Sequence, residues 1–365
     1  EIDPTDECYQ TANNCFFRKD IDSFISGLVL ELLELRKELQ KRLVSLIPGS
    51  SEYGSARSSQ AIVKELANSM YGITGDRDSR YFDKRIAEAI TVTGQFLNKA
   101  AAKVLETLCA KETIYGDTDS IFMSIAGTHQ EIDEITDKIN ARLANMLNAV
   151  FSLSKNTVHL EYEKAFGKMI MVDKKRYSGL LVWLNKTETS MLFSKGIEDV
   201  QKSTIKITRN ALRTLVEFLT KENRTVEYVT DWLVSLKHAV FTSTDIKAED
   251  ISIRTRLSKP THEYKSRSAQ VILAEEMIKN KILQQPSKDA GLRLDYILQK
   301  TEPRLTAVHV KDFDGTWDRE YYWNVKIYSP ILRILEVVWP SEDWLKYLVY
   351  KPSKREKKSR QLTLL

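Results

Sequence analysis

Two carboxylates, Asp117 and Asp119, stand two residues apart in Tyr115-Gly116-Asp117-Thr118-Asp119-Ser120, between the apolar runs Thr113-Ile114 and Ile121-Phe122-Met123. The flanks read as strands and Gly116-Asp117 as turn chemistry, so a tight hairpin is expected. Acids at a hairpin tip can point into one small volume. Such a volume suits a hard divalent cation such as Mg²⁺, which takes oxygen ligands and keeps room for substrate phosphates. A bare Asp-x-Asp is more often an ordinary acidic turn than a metal site, so the rest of the chain has to discriminate.

The elements that would position such a site can be read on either side of it. Residues 1–19 look irregular. From Asp20 a helix is expected, capped by Asp20, Asp22 or Ser23, with Phe24, Leu28, Leu32, Leu35 and Leu39 at helical spacing and Arg36-Lys37 beside them. Pro48-Gly49-Ser50-Ser51 makes a turn. A second helix is expected over 58–71, with Gln60, Lys64, Asn68 and Tyr71 on one side and Ile62, Leu66 and Met70 on the other, facing a core. A Lys, an amide and a Tyr ring along one line can hold a phosphate tail and stack on a base, although a plain amphipathic helix has the same pattern. After the hairpin, 131–153 has the spacing of a long helix, 161–166 and 177–184 alternate as strands, and the chain turns helical from about Ile205. Between those strands lies the basic cluster Lys174-Lys175-Arg176-Tyr177.

Composition limits the alternatives. Hydrophobic residues make up 42% and charged residues 29% of the 365, which fits a globular chain with a substantial core. No apolar run approaches the roughly 20 residues that span a bilayer, and the N-terminus is acidic, so an intracellular, non-secreted protein with no membrane partner is expected. Cys8, Cys15 and Cys109 form no Cys-x-x-Cys pair, which argues against zinc ribbons, iron–sulfur clusters and a disulfide framework. The net charge of +5 is matched by the tail 351–360 alone, which carries six bases and one acid, so the body sums to zero. A nucleic-acid surface must therefore come from local clustering.

The hairpin string resembles the catalytic palm hairpin of family B DNA polymerases, and further motifs follow in the family's order. Lys64-x-x-x-Asn68-Ser69-x-Tyr71-Gly72 resembles the nucleotide-binding fingers helix, and Arg36 the triphosphate-binding Arg of the preceding one. Gln40 stands where the family places a second base, leaving Gln40 and Lys41 both open for that contact. Lys174-Lys175-Arg176-Tyr177 resembles the family's Lys-Lys-Arg-Tyr, whose Tyr would offer a flat surface to the primer–template backbone. Lys195-Gly196-Ile197-Glu198 follows, but Gln201-Lys202-Ser203 replaces the usual Arg-Asp, which puts an ion pair expected there in question. Leu257-Ser258-Lys259-Pro260, Gly291 to Ile297, and Tyr321-Tyr322 to Arg333 resemble thumb motifs. Gln361, Leu362, Leu364 and Leu365 resemble a sliding-clamp-binding peptide.

The resemblance implies an α+β, right-hand polymerase fragment. It would have a lead-in (1–19), helical fingers (20–75), an antiparallel β palm with helices (76–204), a mostly helical thumb (205–350), and a basic tail with the clamp-binding-like peptide (351–365). It implies template-directed DNA synthesis with two Mg²⁺ ions, Asp117 and Asp119 as catalytic metal ligands, and Arg36, Lys64, Asn68 and Tyr71 on the dNTP. Lys174, Lys175, Arg176 and Tyr177 would lie on DNA. The family's first metal-binding Asp, in Asp-x-x-Ser-Leu-Tyr-Pro, is missing, since Asp3 and Asp6 sit in an unrelated context; the exonuclease domain is missing too. A partner chain supplying both is therefore expected. Alternatives are a non-catalytic module that binds DNA and a clamp, or a lone enzyme in which Glu163 or Asp173 replaces the missing acid.

Overall fold

The computed structural model describes residues 7–151, 158–286, 291–300 and 305–348, and the chain divides into two compact units, Glu1–Tyr162 and Glu163–Leu365. The division falls inside the 76–204 stretch expected as palm. Asp3, Asp6 and the tail residues Gln361, Leu362, Leu364 and Leu365 lie outside the described residues.

In the first unit the segment expected to be irregular pairs as a small antiparallel hairpin of β1 (Cys8–Gln10) and β2 (Phe16–Arg18). Asn14 in the left-handed region (φ 58°) and the Thr11 hydroxyl, which donates to Asn13 at 2.7 Å, shape its turn. Ser23 then caps α1 (Phe24–Ser45) and Ser50 caps α2 (Ser51–Gly75), each accepting a backbone N–H three residues on. Gly49, at φ 91°, permits the turn between them, and the helices pack as a helical hairpin. The Ser50 cap starts α2 well before the expected residue 58.

The core face of α2 differs from the expectation. Ala56, Val63 and Thr74 are buried, whereas Ile62 and Leu66 are 57% and 46% exposed and Met70 is only half-buried. Small side chains on the inner stripe allow close helix approach, and the bulkier opposite face is left outside. On α1 no residue is fully buried: Leu28, Leu32 and Leu39 are half-buried, and Phe24 and Leu35 are exposed.

Asp83 caps α3 (Lys84–Cys109), and its ion pair with Arg85, together with the Arg85 N–H, holds its carboxyl down to about 2. The chain turns at Ala110 (φ 51°) into β3 (Thr113–Asp117) and β4 (Ser120–Met123), a two-stranded antiparallel hairpin. The helix α4 (His129–Phe151) opens on a reciprocal cap. Glu131 accepts the Thr128 N–H at 2.7 Å, and the Thr128 hydroxyl accepts the Glu131 N–H at 3.3 Å. Ala101, Val104 and Leu105 of α3 and Ile139, Leu143 and Leu147 of α4 form the small core of this region, with Ile121 of β4 packed against it.

The second unit opens with a three-stranded antiparallel meander, β5 (Lys164–Asp173), β6 (Arg176–Leu184) and β7 (Thr187–Lys195). Asn185 and Lys186 both have positive φ, the conformation of a two-residue turn that matches strand twist. Helices α5 (Lys206–Thr220), α6 (Val226–Thr242) and the short α7 (Ala248–Ile251) follow. Then come β8 (Ile253–Leu257), α8 (Ala269–Lys279), β9 (Leu292–Gln299) and β10 (Thr306–His309), the strands forming a sheet of order β10-β9-β8. Helix α9 (Arg319–Tyr321) runs through a π-helical segment, Tyr322–Tyr328, into α10 (Ser329–Val338). The 205–350 region is thus helical with a three-stranded sheet added. One large core joins Leu212 and Leu215, Val229 and Leu233, Ile297, Trp323 and Leu335. The architecture is α+β, and no described helix is long and apolar enough to cross a membrane.

Candidate active site

The carboxylates sit where the sequence places them, at the tip of the β3–β4 hairpin. Asp117 pairs with Ser120, so Thr118 and Asp119 form a two-residue loop, with Thr118 in the left-handed region (φ 53°). The loop is tied from within: the Asp119 N–H donates to the Asp117 carbonyl, the Ser120 hydroxyl donates to the same carbonyl at 3.1 Å, and the Thr118 hydroxyl donates to Asp117 Oδ1 at 3.1 Å. It is also tied from outside, because Asn98 Nδ2 on α3 donates to the Thr118 carbonyl at 3.0 Å. At the other end, Glu106 of α3 accepts both the Thr113 N–H (3.1 Å) and its hydroxyl (2.8 Å), bonds that hold its carboxyl below the usual range. Tyr115 and Phe122 pack across the strands at 5.7 Å. The hairpin is thereby fixed on α3 at both ends. Neither Asn98 nor Glu106 was signalled by the sequence, since each is one polar residue on a long amphipathic helix.

Asp119 is exposed and Asp117 half-buried. Two carboxylates on a rigid loop suit a hard cation as part of its oxygen shell. Among the described residues, however, no group of three or more His, Cys, Asp or Glu side chains converges to hold a metal. The two carboxylates are donors of the right chemistry for such a cation.

Lys64, Asn68 and Tyr71 all lie exposed on α2, at the i, i+4 and i+7 spacing that stacks them on one face. Arg36 is half-buried on α1, and its Nε is buried with no hydrogen-bond partner among the described residues. Arg36, Lys64, Asn68, Tyr71, Asp117 and Asp119 all belong to the first unit.

The basic cluster belongs to the second. Lys174 and Lys175 are exposed at the two-residue turn between β5 and β6, with Lys175 at φ 63° and the Lys174 N–H donating to Asp173 at 2.7 Å. Tyr177 departs from expectation. It is 2% exposed, its ring stacked on Phe193 at 6.2 Å and edge-on to Phe166 at 6.0 Å. It lies on the central strand of the meander, covered by both neighbours, so its ring forms core and presents no flat face outward. Arg176 is largely committed as well, donating to Glu198 at 2.6 Å and to the Gly196 carbonyl at 3.3 Å. Glu198 also pairs with Arg333, 135 positions away. Glu198 thus makes ion pairs with Arg176 and Arg333 where Gln201-Lys202-Ser203 stands in place of Arg-Asp. Next to it, Asp199 is buried and accepts from the Ser194 hydroxyl at 2.7 Å, and burial pushes its carboxyl above the usual range.

Gly196 connects these groups. It has φ 68°, and a Cβ there would lie 2.1 Å from the Lys175 carbonyl oxygen. Gly196→Ala is expected to destabilise the second unit, by about 1–3 kcal/mol from the left-handed backbone alone and more from the clash. Urea unfolding checks this; an unchanged midpoint would show that the Lys175 turn shifts at no cost.

Comparison with known proteins gives a consistent picture. The model for DNA polymerase family B matches residues 3–338. A DNA polymerase of Archaeoglobus fulgidus is 28% identical over 355 residues, covering 91% of this chain and 42% of the relative. The DNA polymerase delta catalytic subunit of Candida albicans is 27% identical over 352 residues, covering 90% of this chain and 32% of the relative. Among solved structures, the family B DNA polymerase of Pyrobaculum calidifontis shares the fold with a TM-score of 0.59 at 23% identity, over 92% of this chain and 41% of that one. The chain thus spans less than half the length of these relatives.

Proposed function

The chain belongs to DNA polymerase family B, and from that premise we propose that it supplies the fingers (20–75), the palm with its catalytic hairpin (76–204) and the thumb (205–350) for template-directed DNA synthesis. The reaction is attack of a primer 3′-hydroxyl on the α-phosphate of a dNTP. The observation that carries this reading is the Asp117–Asp119 loop, held rigidly on α3 by Asn98 and Glu106. Asp119, exposed at the tip, would ligate the metal directly, and Asp117, engaged by Thr118, would support the site or join it.

Arg36 and Lys64 neutralise the triphosphate, and Asn68 and Tyr71 shape the nucleotide pocket. The exposed α2 face supports these roles, since its polar groups are open to a ligand. Lys174 and Lys175 meet the primer–template backbone, while Arg176 and the buried Tyr177 shape their turn. When bound, Mg²⁺ ions lower the pKa of the 3′-hydroxyl and neutralise charge on the triphosphate. The residues' own part is in-line positioning and fixed electrostatics.

A further element of the proposal is that a second chain or segment brings an Asp to join Asp117 and Asp119, with the exonuclease. The tail peptide, read from sequence alone, docks on a sliding clamp. Primer extension tests the scheme. The chain alone should be silent, and extension should appear when a polypeptide bearing the Asp-x-x-Ser-Leu-Tyr-Pro segment is added. Extension by the lone chain overturns the need for a partner. Tight duplex binding with no extension under any complementation overturns the enzymatic reading.

A further inference from the structure

Beyond the hairpin, the second unit contains a polar cavity of roughly 370 Å³ that none of these roles uses. Its walls include Lys326, Arg333, Arg254, Glu198 and the hydroxyl-bearing Ser203 and Thr204. Lys326, Pro330 and Arg333 follow one another at i, i+4 and i+7, so a single helix face lines one side.

The charges there do not balance. Arg254 is neutralised by a bidentate pair with Asp295, at 2.8 and 2.9 Å. Glu198 is shared between Arg176 and Arg333, one carboxylate against two guanidinium groups. Lys326 is half-buried, and its ammonium has no carboxylate and no hydrogen-bond partner among the described residues; it lies 5.9 Å from the Tyr321 ring, at the outer limit of a cation–π contact. Burial accordingly pushes the Lys326 ammonium pKa below its ordinary value. Of the lining residues, Arg254, Lys326 and Arg333 are cations and Glu198 is the one carboxylate; with Arg254 paired to Asp295 outside the lining, Lys326 is the cation left without a counter-ion. A partly desolvated cation without a counter-ion is costly, and chains keep such groups mainly where something pairs with them.

Local backbone is consistent with a site. Lys326 is carried on the π-helical segment Tyr322–Tyr328, and interruptions of this kind recur at functional positions because they re-aim side chains. The buried rings of Trp323 and Tyr328, stacked at 5.4 Å, hold the segment in place.

We infer that this cavity is a phosphate-binding subsite in which the Lys326 ammonium and the Arg333 guanidinium take a phosphate group, with the Ser203 and Thr204 hydroxyls as further donors. The net positive charge of the walls suits a tetrahedral oxyanion, and a cavity of roughly 370 Å³ is more than large enough to admit one. The phosphate can come from a nucleic-acid backbone or from a free phosphate or pyrophosphate.

The test uses the full chain, its Lys326→Gln variant, which keeps a polar side chain and removes the charge, and Lys326→Arg, which restores the charge. Circular dichroism first establishes that the variants fold. Binding of a short DNA duplex is then measured across a salt series, and thermal unfolding is followed with added orthophosphate or pyrophosphate. If the ligand is a backbone phosphate, Lys326→Gln weakens duplex binding about threefold to tenfold and lowers the salt slope by about one, and Lys326→Arg recovers both. If the ligand is a free phosphate, orthophosphate or pyrophosphate raises the melting temperature of the parent and Lys326→Arg chains but not of Lys326→Gln, and the salt slope stays constant. Duplex binding, salt slope and phosphate response all equal between parent and Lys326→Gln would overturn the subsite. None of these readouts requires nucleotidyl transfer, so their failure is distinct from failure of the polymerase reading.

Discussion

Asp119→Asn is expected to lower kcat/KM for primer extension by the complemented enzyme about a thousandfold or more, while duplex affinity stays within about twofold. The substitution keeps size and shape, and Asp119 is exposed at a loop tied by hydrogen bonds from the backbone of Asp119 and the side chains of Thr118, Ser120 and Asn98. Folding therefore has little reason to change. The loss is of one negative oxygen donor, and about 4 kcal/mol of transition-state stabilisation corresponds to that thousandfold. Asp117→Asn separates the two acids, because the Asp117 carboxylate also accepts from Thr118, so part of its effect is structural. A fall in kcat at unchanged duplex affinity supports the metal-ligand role for Asp119. Extension retained within tenfold refutes it and makes the loop an ordinary acidic turn.

The hairpin was legible because strand, turn and strand are written in adjacent residues, and each local preference points the same way. Helix α1 was legible for the same reason, with Ser23 one of three candidate caps, whereas α2 starts at Ser51, earlier than its periodicity indicated. The reading failed where a residue's environment comes from distant sequence. Helical periodicity finds two faces on α2 but not which one meets a neighbour, so Ile62 and Leu66 were assigned to a core that takes Ala56 and Val63 instead. Tyr177 looked like an exposed aromatic in a basic run. Its burial depends on β7, a strand unread in the sequence, whose Phe193 covers the ring. Glu198 meets Arg333 from 135 positions away, and no local signal announces such a pair. The position of Asp117 and Asp119 at the hairpin tip could be read, while the Asn98 and Glu106 bonds that immobilise the hairpin required the fold.

Trp323→Ala is expected to destabilise the second unit by about 3–5 kcal/mol, the range for removing a fully buried large aromatic. Trp323 is 0% exposed, its ring stacks on Tyr328 at 5.4 Å and 9°, and its Nε1 donates to the Tyr347 carbonyl at 3.0 Å. Truncation opens a cavity and removes one of two donors to that carbonyl, which still accepts from the Lys237 ammonium at 2.9 Å, so the cavity carries most of the cost. Trp323→Phe keeps a ring for Tyr328 and should recover more than half of the loss, which assigns the larger share to packing. A denaturation midpoint within about 1 kcal/mol of the parent for Trp323→Ala would show that the segment is held some other way. Trp323 shares the π-helical segment with Lys326. The same truncation should therefore loosen the placement of the Lys326 ammonium and weaken any phosphate response at temperatures where the protein remains folded. Stability and phosphate binding should then fall together in Trp323→Ala, but separately in Lys326→Gln, where a half-buried charge is removed and no core atom is lost.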